Sequence, residues 1–211
     1  MLLNAPLNEI LGQASKVKIL RFMVKSQAQL NGREIAKNIG LSHVKVHSAL
    51  KNLSSQGIVN MHFVGNSIVY WLNEEHYLVK EILRPAFEKE SGIFQSIIKI
   101  ILEESRPPLP LSIILFGSFA KNNALADSDI DLLLIYPGHK NRSFIPRELS
   151  GAEKKITMLL GNHLAGIPIK ISEFQNRLKK NERFLKEAIT TGKVIYGKTV
   201  SELINHVSKK Y

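Results

Sequence analysis

The sequence predicts an α+β chain of two domains, and three observations carry that expectation. Three short helical patterns near the N-terminus are followed at once by two strand-like runs around Gly65-Asn66. The stretch Arg106-Pro-Pro-Leu-Pro110 then stops all helix about half way along the chain. Beyond it, Ser112 to Phe116 and Leu132 to Tyr136 read as buried strands with helical patterns after them, as in a mixed sheet with flanking helices. The expected division is residues 1–72, a helical linker or dimerisation region at 73–110, and a second domain at 111–211.

Composition agrees with a globular chain. Of 211 residues 44% are hydrophobic and 22% charged, enough for two small cores. There is no cysteine, which excludes a disulfide framework, thiolate metal sites and cysteine nucleophiles. Met1 to Leu11 lacks the basic and long apolar stretches of a signal peptide, and the longest apolar run, Ile93 to Leu102, is broken by Gln95, Ser96 and Lys99. A soluble cytoplasmic protein with no membrane partner is therefore expected. The net charge of +11 is unevenly spread: residues 1–72 carry +6, residues 73–110 carry −2 and residues 111–211 carry +7. Two basic ends suggest polyanion contacts from separate modules, although a generally lysine-rich surface accounts for the charge equally well.

In the first domain, Ser15 to Val24 places Val17, Ile19, Leu20, Phe22 and Met23 at helical spacing, with Lys16, Lys18, Arg21 and Lys25 opposite. Asn31 with Glu34 three residues on forms a capping-box pattern for a helix that stops at Gly40. Ser42 caps the next helix, in which Val44, Val46, Ala49, Leu50 and Leu53 mostly share one face. Ile58 to Val64 and Ser67 to Leu72 are the strands of a hairpin.

This order, with "REIAKNIGLSHVKVHSALKNLSSQGIV" at its centre, resembles the winged helix-turn-helix domains of the MarR and ArsR transcriptional regulators over about residues 14–72. The resemblance implies binding to duplex DNA, with the helix from Ser42 in the major groove. Ser42, His43, Lys45, His47, Ser48 and Lys51 are the contact candidates, with Asn66 at the wing tip. No base-reading Arg, Asn or Gln stands at the helix start, so weak or shape-assisted reading is expected. Use of the domain for protein contacts alone is the competing reading. His43 and His47, at i and i+4, have the spacing to share a metal if His62 folds over from the wing; two surface histidines are the simpler reading.

After the helical patterns of 74–104, which either build a homodimer, as the resemblance implies, or cover the next domain, "LSIILFGSFAKNNALADSDIDLLLIY" holds the chemistry. Alternation along a strand points Asp129 and Asp131 to one side, where two carboxylates can hold Mg²⁺. Gly117 lets backbone approach phosphates, Ser118 is placed to donate to a phosphate oxygen, and Lys121 to neutralise phosphate charge. Gly-Ser followed after about ten residues by Asp-x-Asp in a hydrophobic strand resembles the DNA polymerase β-like nucleotidyltransferases, particularly their minimal and antitoxin-type members. Lys121-Asn122 departs from the Arg-Gly common in that family.

The resemblance implies an NTP as substrate or ligand, Asp129 and Asp131 as catalytic and metal-holding residues, and a hydroxyl acceptor, with a partner protein among the acceptors. It also implies a third acid on a later strand, expected in Ile167 to Phe174 after a helix from Arg147 to Leu164. Lys170 stands near that place, and Glu173, the one carboxylate there, alternates to the opposite face. Either Lys170 faces the aspartates and replaces the metal, or the register is shifted and it does not. Three readings follow: a DNA-binding regulator fused to a transferase; a regulator whose second domain is a degenerate nucleotide sensor or dimer module; and an RNA-modifying enzyme with the first domain as a clamp.

Overall fold

A computed structural model describes residues 4–205, and the chain forms two compact units, 1–92 and 93–211. The first unit contains α1 (Pro6–Leu11), α2 (Ala14–Ser26), β1 (Leu30–Asn31), α3 (Gly32–Ile39), α4 (His43–Ser55), β2 (Val59–Val64) and β3 (Ser67–Leu72). A π-helical turn, Val79–Leu83, leads into α5 (Arg84–Ser91), with Pro85 in its first turn. The local signals act as expected. Asn31 Oδ1 accepts from the amides of Arg33 and Glu34, while Glu34 Oε2 accepts from Asn31 N, completing the capping box of α3. Gly40 ends α3 in the left-handed conformation at φ 65°. β2 and β3 form an antiparallel hairpin whose closing pair is Val64 with Ser67, and β1 adds a third strand on the far side of β3. Three helices and this hairpin make a winged helix-turn-helix.

Two details differ from the sequence expectation. Lys16 is buried with the core, its ammonium donating to the carbonyl of Glu9 in α1, an element the sequence patterns do not reveal. Val44 is exposed, because the buried stripe of α4 is Val46, Ala49, Leu50 and Leu53.

The second unit contains α6 (Ile93–Glu104), β4 (Ser112–Leu115), α7 (Gly117–Ala120), β5 (Ile130–Tyr136), α8 (Ile145–Leu160), β6 (Leu164–Lys170), α9 (Ile171–Lys179), α10 (Arg183–Thr191), β7 (Lys193–Gly197) and α11 (Val200–Ile204). The sheet order is β6-β5-β4-β7, parallel between β5 and β6 and antiparallel elsewhere. Because side chains alternate along β5, its even-numbered residues Leu132, Leu134 and Tyr136 pack with α6 and α8. Leu133 and Ile135 pack on the other face with α9, α10 and α11. This sandwich explains the hydrophobic run of β5: both faces of the strand are covered.

The helical stretch read as a linker divides between the two cores. Leu78, Val79 and Leu83 are buried with the first, and Ile97 and Ile101 with the second. The Pro-rich segment at 106–110 likewise belongs to the second unit. Arg106 donates its amide to Glu148 Oε1 at 3.1 Å, and its carbonyl accepts from Lys140.

The later elements shift by a few residues. Gly161, at φ 81°, ends α8 before the expected Leu164, so β6 starts at Leu164 and has finished by Lys170. Ile171 to Phe174, read as strand, open α9 instead. Ala165, Gly166 and Pro168 gave β6 a poor strand signal, and Pro168 is tolerated because β6 is an edge strand. Asn181, by residue type a helix-cap candidate, precedes the N-cap of α10, Glu182, by one residue. The last apolar pattern of the sequence, Val200 to Val207, reads as an amphipathic helix; α11 is described to Ile204, and residues beyond 205 lie outside the described part. No helix among the described residues is long and apolar enough to cross a membrane.

Candidate functional site

The Gly-Ser turn and the Asp-x-Asp strand meet at one end of the second sheet. Phe116 N donates to Asp131 O at 3.0 Å, which carries the chain from β4 into α7 directly beside the start of β5. Gly117 sits there at φ 68°, and a Cβ built on it would lie 2.0 Å from Asp131 Oδ2. The Asp131 carboxylate therefore occupies the space a side chain at 117 would need. Glycine is required twice at this position, by the left-handed backbone and by the carboxylate.

Burial first, and the neighbouring Asp129 charge second, push the Asp131 carboxyl above its usual range. Asp129 itself is exposed, one residue before β5. The loop that carries it is tied down by groups the sequence patterns did not single out. Leu125 N donates to Ser128 Oγ at 2.8 Å, and Asn162 Nδ2 donates to the carbonyls of Ala126 and Ser128 at 3.0 Å each. Ile130 N donates to His163 O at 2.8 Å, locking the loop to the start of β6. Ser118, half-buried, follows Gly117 in α7. The ammonium of Lys121 reaches Glu187 of α10 at 2.7 Å, and that contact holds the Glu187 carboxyl below its usual range.

Lys170 does not face the aspartates. In the parallel register Asp131 pairs with Ala165 and Tyr136 with Lys170, so Lys170 lies five residues further along, roughly 16 Å at the rise of a strand. It also alternates to the other face of the sheet, and its ammonium donates to Gly138 O at 2.8 Å. Of the two alternatives for Lys170 the shifted register holds, because β6 begins three residues earlier than expected. Glu173 stands on α9 rather than on a strand, ion-paired with Arg142 at 2.6 Å and Arg177 at 3.5 Å. The residue beside Asp131 on the same face is Ala165. Among the described residues no group of three or more His, Asp or Glu side chains is placed to hold a metal.

In the first unit, Ser42 caps α4, its Oγ accepting from Lys45 N at 3.5 Å. Lys45 and Ser48 are exposed on α4. His43 and His47 stack at 6.1 Å between centroids and line a cavity of about 550 Å³ with Asn31, Arg33, Glu34 and Asn66. Lys51 and His47 line a second one, about 470 Å³, with Met61, Ile68 and Tyr70. A groove thus runs between α4 and the wing. His62 is not part of it: its ring packs edge-on against Trp71 at 5.1 Å, so it does not complete a metal site with His43 and His47.

A winged-helix unit joined to an α/β unit with a paired-carboxylate sheet end defines the class of protein. Residues 94–196, within the second unit, match the family model described as the nucleotidyltransferase domain. The match begins at Phe94, within α6, in agreement with the division of the chain after Gly92. Comparison with curated proteins finds no match. Among solved structures, the AntR antimony-specific transcriptional repressor is similar at 19% identity, covering 42% of this chain and 78% of its own, with a TM-score of 0.36. The adhesin competence repressor AdcR of Streptococcus pyogenes is similar at 18% identity, covering 44% of this chain and 68% of its own, with a TM-score of 0.34.

Proposed function

We propose that the protein is a DNA-binding transcriptional regulator whose second unit takes up a nucleoside triphosphate with Mg²⁺ and acts as a nucleotide sensor. The observation that carries the nucleotide reading is the approach of Asp131 to Gly117, which joins the Gly-Ser turn and the carboxylate pair in one site. Asp129 and Asp131 fit Mg²⁺, being hard oxygen donors whose mutual repulsion a cation relieves. When bound, the ion supplies neutralisation of triphosphate charge. Ser118 is the hydroxyl donor nearest the turn, and Lys121 is free to exchange Glu187 for a phosphate oxygen. The DNA reading rests on the outward face of α4 and the +6 charge of residues 1–72, with a homodimer presenting two such helices.

A second reading, transfer of a nucleoside monophosphate to a hydroxyl acceptor, is favoured by the same carboxylate pair. The acceptor oxygen would bond to the α-phosphorus as its bond to the bridging oxygen breaks, releasing pyrophosphate, with the hydroxyl proton passing to a base. Ala165 occupies the place beside Asp131 where β6 would supply such a base, and sensing is preferred on that ground.

Calorimetry with each of the four NTPs, with and without Mg²⁺, tests the nucleotide reading. Mg²⁺-dependent binding lost in Asp129→Ala is expected, with no label passing from an α-³²P-nucleotide to protein or RNA. Absence of binding sinks the nucleotide reading, and labelled acceptor replaces sensing with transfer.

A further inference from the structure

We propose that Val44 is a base-reading residue of the winged-helix unit and that it reads the 5-methyl group of thymine. The inference rests on the DNA-binding reading and adds to it a residue and a base. Val44 is 78% exposed, whereas Val46, Ala49, Leu50 and Leu53 on the same helix are all buried. At roughly 100° per residue, Val44 points within about 20° of the direction opposite the middle of that stripe. It is the second residue of α4, at the end a recognition helix directs to base edges.

Its surroundings say what it meets. Lys51 and Ser48 flank it on the outward face, and α4 holds no acidic residue, so the face suits a polyanion. The wing from Val59 to Leu72 contains no Lys or Arg, which leaves the helices to supply the backbone-directed charge. A β-branched aliphatic residue exposed on a helix adds neither core packing nor helix propensity. In the major groove the polar edges of the bases are donors and acceptors, and the apolar feature is the thymine methyl. An aliphatic side chain at the apex of a cationic helix face is complementary to that group. The helix start lacks Arg, Asn and Gln, the usual bidentate readers of polar edges, so methyl contact by Val44 adds a base-specific interaction to whatever Lys51 and Ser48 make.

The test uses the full-length protein. Tight sites are selected from random duplex DNA, and each thymine is then replaced by uracil, which removes the methyl and leaves every hydrogen-bonding group. At one position or more, uracil should weaken wild-type binding about fourfold, the effect of one buried methyl-sized group. Val44→Ala should bind the thymine and uracil duplexes alike, with unchanged thermal stability because the residue is exposed. Val44→Thr, which keeps one Cγ methyl, should retain part of the discrimination. Uracil tolerated by the wild type at every position overturns the inference alone, as does full discrimination by Val44→Ala, which would leave Val44 for protein contacts. A wild-type protein that binds no duplex overturns the DNA-binding reading as well.

Discussion

Replacing Gly117 by alanine separates the two demands on that position. Gly117 lies at φ 68°, where a residue with a Cβ pays roughly 1–2 kcal/mol for left-handed backbone. Gly161 is the control in the same unit: it lies at φ 81° with nothing within 4 Å of its built Cβ, so Gly161→Ala costs the backbone term alone. At Gly117 the new methyl would also sit 2.0 Å from Asp131 Oδ2 and 2.9 Å from Cγ, distances no packed structure keeps. The carboxylate must swing away, and one of the two carboxylates proposed to hold Mg²⁺ leaves the site. Denaturant unfolding should show Gly117→Ala less stable than wild type by about 2 kcal/mol or more, and Gly161→Ala by about 1 kcal/mol. Calorimetry should show Mg²⁺–NTP affinity reduced at least about tenfold in Gly117→Ala, about 1.4 kcal/mol, and unchanged in Gly161→Ala. Equal nucleotide affinity in the two variants would refute the role given to the Gly117–Asp131 approach.

Four further outcomes are expected. The Asp131 carboxyl is raised in the folded state, so its protonation stabilises the fold at low pH and that stabilisation is lost as pH rises through the raised value. Asp131→Asn should therefore make the metal-free protein more stable at neutral pH while abolishing Mg²⁺-dependent nucleotide binding, as measured by melting curves at pH 4 and pH 7 and by calorimetry. Lys170→Met should leave Mg²⁺–NTP affinity within twofold of wild type, because Lys170 serves the Gly138 carbonyl at the other end of the sheet; a large gain in affinity would return it to the site. Lys140 and Glu148, 1% and 6% exposed and 2.9 Å apart, form a buried pair, so Lys140→Met should cost about 3 kcal/mol in chemical unfolding by stranding the carboxylate. Lys45→Ala with Lys51→Ala should weaken binding to all duplexes and flatten its salt dependence, and an unchanged salt slope would remove α4 from the DNA interface.

The sequence by itself determined what local chemistry governs. The Asn31–Glu34 box, Gly40 and Ser42 set the ends of α3 and α4, because caps and left-handed stops act within a few residues. Gly65-Asn66 set the hairpin, and the aliphatic run of β5 announced a strand covered on both faces. Gly117-Ser118 and Asp129-Ile-Asp131 marked the candidate site, since two carboxylates at a period of two share a side.

Tertiary structure alone decided the rest. Helical spacing sets Val44 opposite the stripe of α4, but only the fold shows that the stripe is buried and Val44 exposed. Nor did periodicity show that Lys16 is buried beneath α1, whose short helix has no clear pattern, or that Asn162 holds the loop before Asp129 and Lys121 meets Glu187, contacts made across long separations in the chain. The decisive case is β6. Its start at Leu164 is fixed by where Gly161 ends α8 and by pairing with β5, not by its own weak strand composition. A shift of three residues moves Lys170 to the far end of the sheet and to its other face, and sets Ala165 beside Asp131, because neighbours across a parallel pair are chosen by register rather than by sequence.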